Sequence, residues 1–437
     1  MKRSMAGPML LAALLAGCSG NAGSGGDTGK DQSTELKTKA PVDNPIYSNK
    51  PIELTLSGNT DADDIWKRYI EDPIKKKFPN VTLVRAKTSL AELVAAGTPP
   101  DLIQFTPSGY PGLSDLGLQF DLRPLIKTYG FDTSRFIPEL MDSVAAHGDS
   151  GQLYGIPLQS TLYGLLYNKD LFDKFAMPYP KGELTWDEAI ALTRQMSRTE
   201  SGIKYRGLEV HSPLLQYSQL SLNPITKDGK ASVTSAKWQE AANMYKSIYS
   251  VPGNEEAATG GIANFYQPFF DGKLAMLAIS TIRMITQAQS VPNLNWDVAP
   301  FPTFKDAPNS GPQMNYSVLG ISPTSKYKDE AFAVIAHLVS DEAQKQFVRS
   351  GFITPLKSPE VQQLLGADIP SLKNKNVQVM YKQKQANYIF SKYQTSKVTN
   401  AINDAFTKVR KGETDVNSAL REAEELINKE IEQVKQK

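Results

Sequence analysis

Few residues in this 437-residue chain have the types and spacings that could do chemistry. The three histidines, His147, His211 and His337, lie far apart, without the short spacing that metal ligation asks for. His337 sits inside an apolar helical stripe and reads as a packing residue. No Gly-x-Ser-x-Gly elbow, HExxH or Walker loop occurs. Gly23, Gly25 and Gly29 loosely suggest a phosphate loop, but no strand precedes them, so they read as linker. Carboxylates number 46, so counting alone leaves open a pair able to work on a glycosidic bond. The single cysteine, Cys18, excludes a disulfide and any cysteine-based metal or redox centre. A catalytic reading has little to stand on, and no cofactor is required.

The position of Cys18 suggests a different role for it. Lys2 and Arg3 precede an apolar run from Met9 to Ala16, too short to span a bilayer but ordered like a secretory signal. Leu15-Ala16-Gly17-Cys18-Ser19 resembles the bacterial lipobox, in which cleavage before the cysteine leaves an acylated first residue. The expectation is a signal peptide over 1–17 and a lipid anchor at Cys18. Residues 18–48, rich in Gly, Ser, Asn, Asp and Lys, cannot bury a core and are expected to be a flexible tether. Removing Lys2 and Arg3 from the 48 basic residues leaves 46 against 46 acidic ones, so no net positive charge is available for nonspecific nucleic-acid binding. No later stretch of 18 apolar residues occurs, so only the N-terminal lipid is expected to hold the chain to the membrane.

The elements that would position a site begin near residue 51. Ile52, Leu54 and Leu56 alternate as a strand, and Ile65, Trp66, Tyr69 and Ile70 recur at helical spacing within 63–78. Val81–Val84 predicts a second strand. Ser89 predicts an N-cap, 90–96 a short helix stopped by Gly97, and Asp101–Phe105 a third, nearly all-apolar strand. This β-α-β-α-β order predicts a mostly parallel sheet. Thr185-Trp186-Asp187-Glu188 reads as a capping box opening a helix through Met196. Helical stripes follow at Trp238–Tyr249, at Phe332, Ile335 and Leu338, and from Val416 to Val434.

Several blocks together resemble one family. They are Tyr154-Gly155-Ile156-Pro157, Tyr167-Asn168-Lys169-Asp170-Leu171-Phe172 and the Thr185–Glu188 box. Ala95–Ile103, Phe270–Met276, Trp296–Pro302 and the helix from Val416 to Ile427 follow the same order. The chain from about residue 50 onward is similar to the extracellular solute-binding proteins that include maltose-binding protein. The resemblance implies a two-lobed α/β fold, each lobe a mostly parallel sheet flanked by helices, joined by three crossing strands. Lobe 1 is expected at 49–157 plus 275–325, and lobe 2 at 158–274 plus 326–437. It also implies a monomer that captures a small solute, such as a mono- or oligosaccharide, between lobes that close like a hinge, and delivers it to the permease of an ABC transporter.

On that pattern the ligand contacts fall in loops after strands and in the crossing segments. Asn59, Thr60 and Asp61 follow the first strand and either face the cleft or cap the next helix. Phe105, Thr106 and Ser108 follow the third strand, whereas Asp101 reads as structural. Gln159, Thr161 and Tyr163 are expected to share a face of the first crossing strand, by alternation. Phe265 and Tyr266 are placed to stack on a sugar ring, with Phe270 in the core. The chain departs from the family where ligand identity is set. Ser280-Thr281-Ile282-Arg283 stands where a Gly-Ser-Trp-like run is common, and Asn315-Tyr316 where Gly-Gly is usual. Ser108 and Gly109 replace the Asp-Arg pair of maltose-binding protein. Arg283 fits either an acidic sugar, held bidentately, or a surface salt bridge. Two rival outputs remain beside transport: a ligand sensor feeding a receptor or kinase, and a lipid-anchored glycosidase or lyase.

Overall fold

The computed structural model describes residues 50–59, 61–148, 150–255, 263–280, 294–386 and 391–436. The expected signal peptide and tether, Cys18, Thr60, Thr281 and Arg283 therefore lie outside the described residues. Twelve strands are described: β1 Ile52–Ser57, β2 Val81–Arg85, β3 Leu102–Phe105, β4 Ile156–Thr161, β5 Tyr163–Asn168, β6 Arg198–Glu200, β7 Ile203–Val210, β8 Leu274–Ser280, β9 Trp296–Ala299, β10 Ser310–Gly311, β11 Asn315–Ile321 and β12 Lys384–Gln385.

Two five-stranded sheets organise them, in the orders β2-β1-β3-β11-β4 and β6-β7-β8-β5-β9, with β10 and β12 paired separately. In the first sheet β1 runs parallel to β2 (Ile52 opposite Val81) and to β3 (Leu56 opposite Leu102), and β11 runs antiparallel to β3 and β4. Ile52, Leu54 and Leu56 of β1 are buried, as their alternation requires, in a core with Trp66, Ile70, Ile74 and Phe332. In the second sheet only β7 and β8 are parallel while β6, β5 and β9 pair antiparallel, so neither sheet has the mostly parallel pairing expected: strand direction depends on distant partners. The central strand β8 is buried at all seven positions, Leu274–Ser280, because its two faces enter two different apolar clusters. Its core gathers Trp186, Trp238, Tyr217 and Phe406, with the Tyr217 ring 4.9 Å from Trp238 and 6.0 Å from Phe406. The capping box is formed: Thr185 Oγ1 accepts from Glu188 N (3.2 Å), and Glu188 Oε2 accepts from Thr185 N (2.7 Å). Ser89 and Glu92 build a second box.

Strand pairing revises the lobe boundaries. The strands β8 and β9, expected in lobe 1, pair with β5 in the second sheet: Tyr163 lies opposite Ser280 and Leu165 opposite Ala299. All of β4 belongs to the first sheet, so the chain changes sheets at Leu162 and not at residue 158. The helix Lys328–Leu338, expected in lobe 2, packs Phe332, Val334 and Ile335 into the first core. The C-terminal helices Ser396–Lys411 and Val416–Lys435 do pack on the second core. Hydrophobic periodicity reports that a segment is a strand but not which strand it pairs with, so nothing local in 275–325 decides its sheet. The helix expected over 63–78 is also interrupted: Lys67–Glu71 adopts a π-helical turn just before Pro73. Proline offers no N–H and crowds the carbonyl four residues back, and a π turn absorbs both defects.

A third apolar cluster bridges the sheets. It joins Leu162, Leu166, Phe269 and Trp296 to Tyr316, Val318, Val348 and Ile353, so the lobes share packed surface around the crossing.

Candidate ligand cleft

Because β1, β3 and β4 run in one direction and β11 in the other, their carboxyl ends and the start of β11 lie on one edge of the first sheet. That edge carries Asn59, Asp61, Phe105, Thr106, Ser108, Thr161 and Asn315. In the second sheet the carboxyl ends of β7, β8 and β9 meet the start of β5, which brings His211, Ser280, Phe301 and Tyr163 to one edge. Only Leu162 separates Thr161 of the first edge from Tyr163 of the second. Thr161 lies opposite Asn315, and Tyr163 opposite Ser280. The two edges therefore meet at one crossing, the place where open α/β sheets take ligands.

On the first edge a chain of amide hydrogen bonds sets the loop after β1. Asn59 Nδ2 donates to Gln104 Oε1 and to Asp61 Oδ2, both at 2.8 Å, and Gln104 Nε2 donates to Ser317 Oγ at 3.3 Å. Asp61 N donates back to Asn59 Oδ1 at 3.2 Å. Asn59 thus spends its side chain locally, while Asp61 is only partly buried. Gly58 makes this turn possible: it has φ +86°, and a Cβ there would collide with the Gln104 carbonyl. From β2, Arg85 Nη1 donates to the Asp61 carbonyl (2.6 Å) and its guanidinium also pairs with Asp63, 5.4 Å from the Trp66 ring centroid. Further along, the exposed Thr106 and Ser108 share a hydroxyl hydrogen bond of 3.0 Å. Phe105 is partly buried and meets Tyr110 edge-on at 4.9 Å, and Tyr110 stacks on His147 at 3.8 Å and 10°. Burial holds the His147 imidazole down at about 4, so it is neutral at ordinary pH.

The crossing itself offers Gln159, Thr161 and Tyr163, all partly buried, and the exposed Asn315. Gln159 and Thr161 share a face of β4, but Tyr163 lies in the other sheet, because the chain changes sheets between them. Burial pushes the Tyr163 hydroxyl up to about 12, so it remains a neutral donor and acceptor. On the second edge, partly buried Phe265 stands edge-on to His211 at 5.9 Å.

Two nominated residues do not face the cleft. The helix Ala263–Phe270 turns Tyr266, Phe269 and Phe270 inward, leaving Tyr266 only 5% exposed with its ring 6.1 Å from Phe270. One residue apart on a helix is about 100°, so Phe265 and Tyr266 cannot share a face. Tyr316 is 3% exposed, and its hydroxyl meets Ser143 Oγ at 2.9 Å behind the first sheet, opposite in direction to Asn315, as strand alternation requires. Ser280 ends β8 at 8% exposure. Asp101 is structural: Oδ2 accepts from Thr55 N (3.0 Å) and Oδ1 from Ser325 Oγ (2.7 Å).

Over residues 48–370 the sequence matches the bacterial extracellular solute-binding proteins. The chain belongs to that family. Membership in an extracellular family sets this solute-binding protein outside the cytoplasm, and no helix among the described residues is long and apolar enough to cross a membrane. Curated binding proteins of Brucella abortus (strain 2308) and Brucella suis biovar 1 are 25% identical over 223 residues, 48% of this chain. The chain spans about half (52%) of the length of those relatives. Among solved structures, the sugar transporter of Rhizobium etli in an open conformation aligns at TM-score 0.72 and 20% identity, over 86% of this chain and 99% of that one. A substrate-binding protein of Listeria monocytogenes in complex with cycloalternan aligns at 0.68 and 18% (87% and 99% covered), and the sugar-binding protein MalE of Xanthomonas citri at 0.69 and 18% (88% and 98% covered). At these identities the likeness is one of fold, and it is the two-lobed binding-protein fold.

Several cleft-edge residues of the solute-binding protein escaped the sequence reading. Gln104, a polar residue inside an apolar four-residue strand, carried the signal that a buried partner awaited it. Arg85 and His211 had no such signal. Gln313, at the entry to β11, is 7% exposed, and its Nε2 has no hydrogen-bond partner among the described residues. Gln219, after β7, holds the segment between β9 and β11 by donating to the carbonyls of Pro302 (2.7 Å) and Ser310 (2.5 Å).

Proposed function

We propose that this protein is a lipid-anchored receptor that captures a small solute, a mono- or oligosaccharide, in the cleft and hands it to the permease subunits of an ABC importer. The observation that carries the reading is the meeting of two sheet edges at Thr161–Leu162–Tyr163, lined by hydroxyl, amide and aromatic groups. Sugars present hydroxyls for such donors and acceptors and flat apolar faces for rings such as Phe105 and Phe265. The cycloalternan held by the Listeria relative and the sugar-binding descriptions of the Rhizobium and Xanthomonas proteins support the same ligand class.

In this reading the ligand bridges polar groups of both lobes and shifts the population toward a closed form that docks on the transporter. Asn59, Thr60, Asp61, Phe105, Thr106, Ser108, Gln159, Thr161, Tyr163, Phe265, Ser280, Thr281, Arg283 and Asn315 are the proposed contacts. No catalytic step is assigned, and Cys18 is the proposed site of acylation after signal-peptide removal.

A thermal-shift screen of the full chain against neutral and acidic saccharides tests this, since a ligand bound only by the native state raises Tm. One sugar class is expected to raise Tm by several degrees. An acidic sugar whose effect disappears in Arg283→Ala would assign that guanidinium to its carboxylate. No shift with any saccharide, together with stabilisation by peptides or turnover of a glycoside, would overturn the reading.

A further inference from the structure

The edge of the first sheet opposite the cleft is where the chain enters the fold. There β1, β2 and β3 begin and β11 ends. Ile52 N donates to the Asn80 carbonyl (2.8 Å), Asn80 Nδ2 to the Lys50 carbonyl (3.4 Å), and Ser322 N to the Asp101 carbonyl (2.9 Å). Two groups of lysines converge on it. Lys75, Lys76 and Lys77 form the exposed last turn of the helix Asp72–Lys77, directly before β2. Lys326 and Lys328 flank Tyr327 a few residues beyond β11; Lys326 is exposed, whereas the half-buried Lys328 donates to the Ser325 carbonyl and lies 5.6 Å from the Phe120 ring. β2, β1, β3 and β11 are successive neighbours, so the groups stand about 15 Å apart across the sheet.

Favourable contact of lysines with a helix C-terminus accounts for some of the first group. It does not account for the second, or for Tyr327, one of four large apolar side chains left exposed among the described residues (39%). Lys75, Lys76, Lys77 and Lys326 form no ion pair among the described residues. Of the acids at this edge, Asp101 is turned inward onto Thr55 and Ser325, while Glu53, second in β1, is exposed and offsets one positive charge. Asp329 and Glu330 open the next helix and offset part of the positive charge.

We propose that this edge is an adhesion surface for anionic phospholipid headgroups. The proposal rests on the anchored-receptor reading: the 32 residues 18–49 lead from the acylated cysteine to Lys50 on this edge, and a chain of that length and composition spans about 30 Å. The tether keeps the body near the bilayer, so each lysine needs to contribute only about fivefold to the local equilibrium. Tyr327 supplies the amphipathic ring that membrane interfaces favour. The cleft lies at the other end of the same strands, so this adhesion describes the receptor before it docks on the permease.

Hydrogen exchange on the full lipidated chain tests this, comparing phosphatidylcholine vesicles with phosphatidylcholine–phosphatidylglycerol vesicles. Amides of 75–81 and 322–328 are expected to exchange at least fivefold more slowly on the anionic vesicles. High salt should abolish the difference, as should the combined Lys75→Gln, Lys76→Gln, Lys77→Gln and Lys326→Gln variant with its Tm retained. Equal exchange on both vesicles overturns the proposal, as does protection by soluble polyphosphate but not by vesicles. A chain that neutral vesicles fail to retain refutes the anchor alone, and its retention by anionic vesicles still decides the edge.

Discussion

At the scale of single residues, the first-lobe wall of the cleft is held by groups that never need to touch a ligand. Asn59 is fixed by Gln104 and Asp61, the loop by Arg85, and Phe105 by the Tyr110–His147 stack. His147 makes this wall sensitive to acid. Its folded-state value, about 4, lies below the unfolded value near 6.5 because burial disfavours the charged ring. The unfolded chain therefore takes up a proton first as pH falls. Stability is expected to be full above about pH 6.5, to decline toward pH 4 by on the order of 2–3 kcal/mol, and to level off below. Urea melts across that range, run beside a His147→Gln variant, would check it; equal slopes in both chains would refute it. The amide pairing was partly legible, since Asn59 and Asp61 were nominated from their place after a strand. Gln104 and His147 were not, because their partners arrive from more than 30 residues away.

At the scale of elements, local rules did well where the determinants are local. The Thr185–Glu188 box forms as its spacing requires, with both reciprocal hydrogen bonds present. Thr185→Ala is expected to cost about 1 kcal/mol of stability while leaving ligand affinity unchanged, because the box stands on the solvent side of its helix. Paired chemical melts and ligand titrations would check both halves. The π turn before Pro73 was missed because periodicity registers which face is buried and hardly changes when one turn widens. Proximity in sequence suggests Phe265 and Tyr266 as a pair of stacking rings, yet helical geometry sends one toward His211 and the other into the core.

For the whole molecule, two sheets are joined at Leu162 and by a shared apolar cluster, and the proposed function requires the lobes to close about that crossing. A saturating ligand is expected to lower the radius of gyration by about 1 Å from roughly 21 Å, measured by solution scattering. An unchanged radius with a bound sugar would refute hinge closure. The family, the α/β class and the helical stripes were determined by the sequence alone, because strand alternation, caps and ordered motif blocks are short-range properties. Which strands share a sheet was decided only by the tertiary structure. Residues 275–325 carry strands for both sheets, β8 and β9 for the second and β11 for the first, and nothing in their local pattern says so. Pairing depends on hydrogen-bond partners supplied by distant segments, Tyr163 for Ser280 and Thr161 for Asn315. Those same pairings bring the cleft residues together. The chemistry of the site was therefore readable residue by residue, while its assembly was a property of the fold.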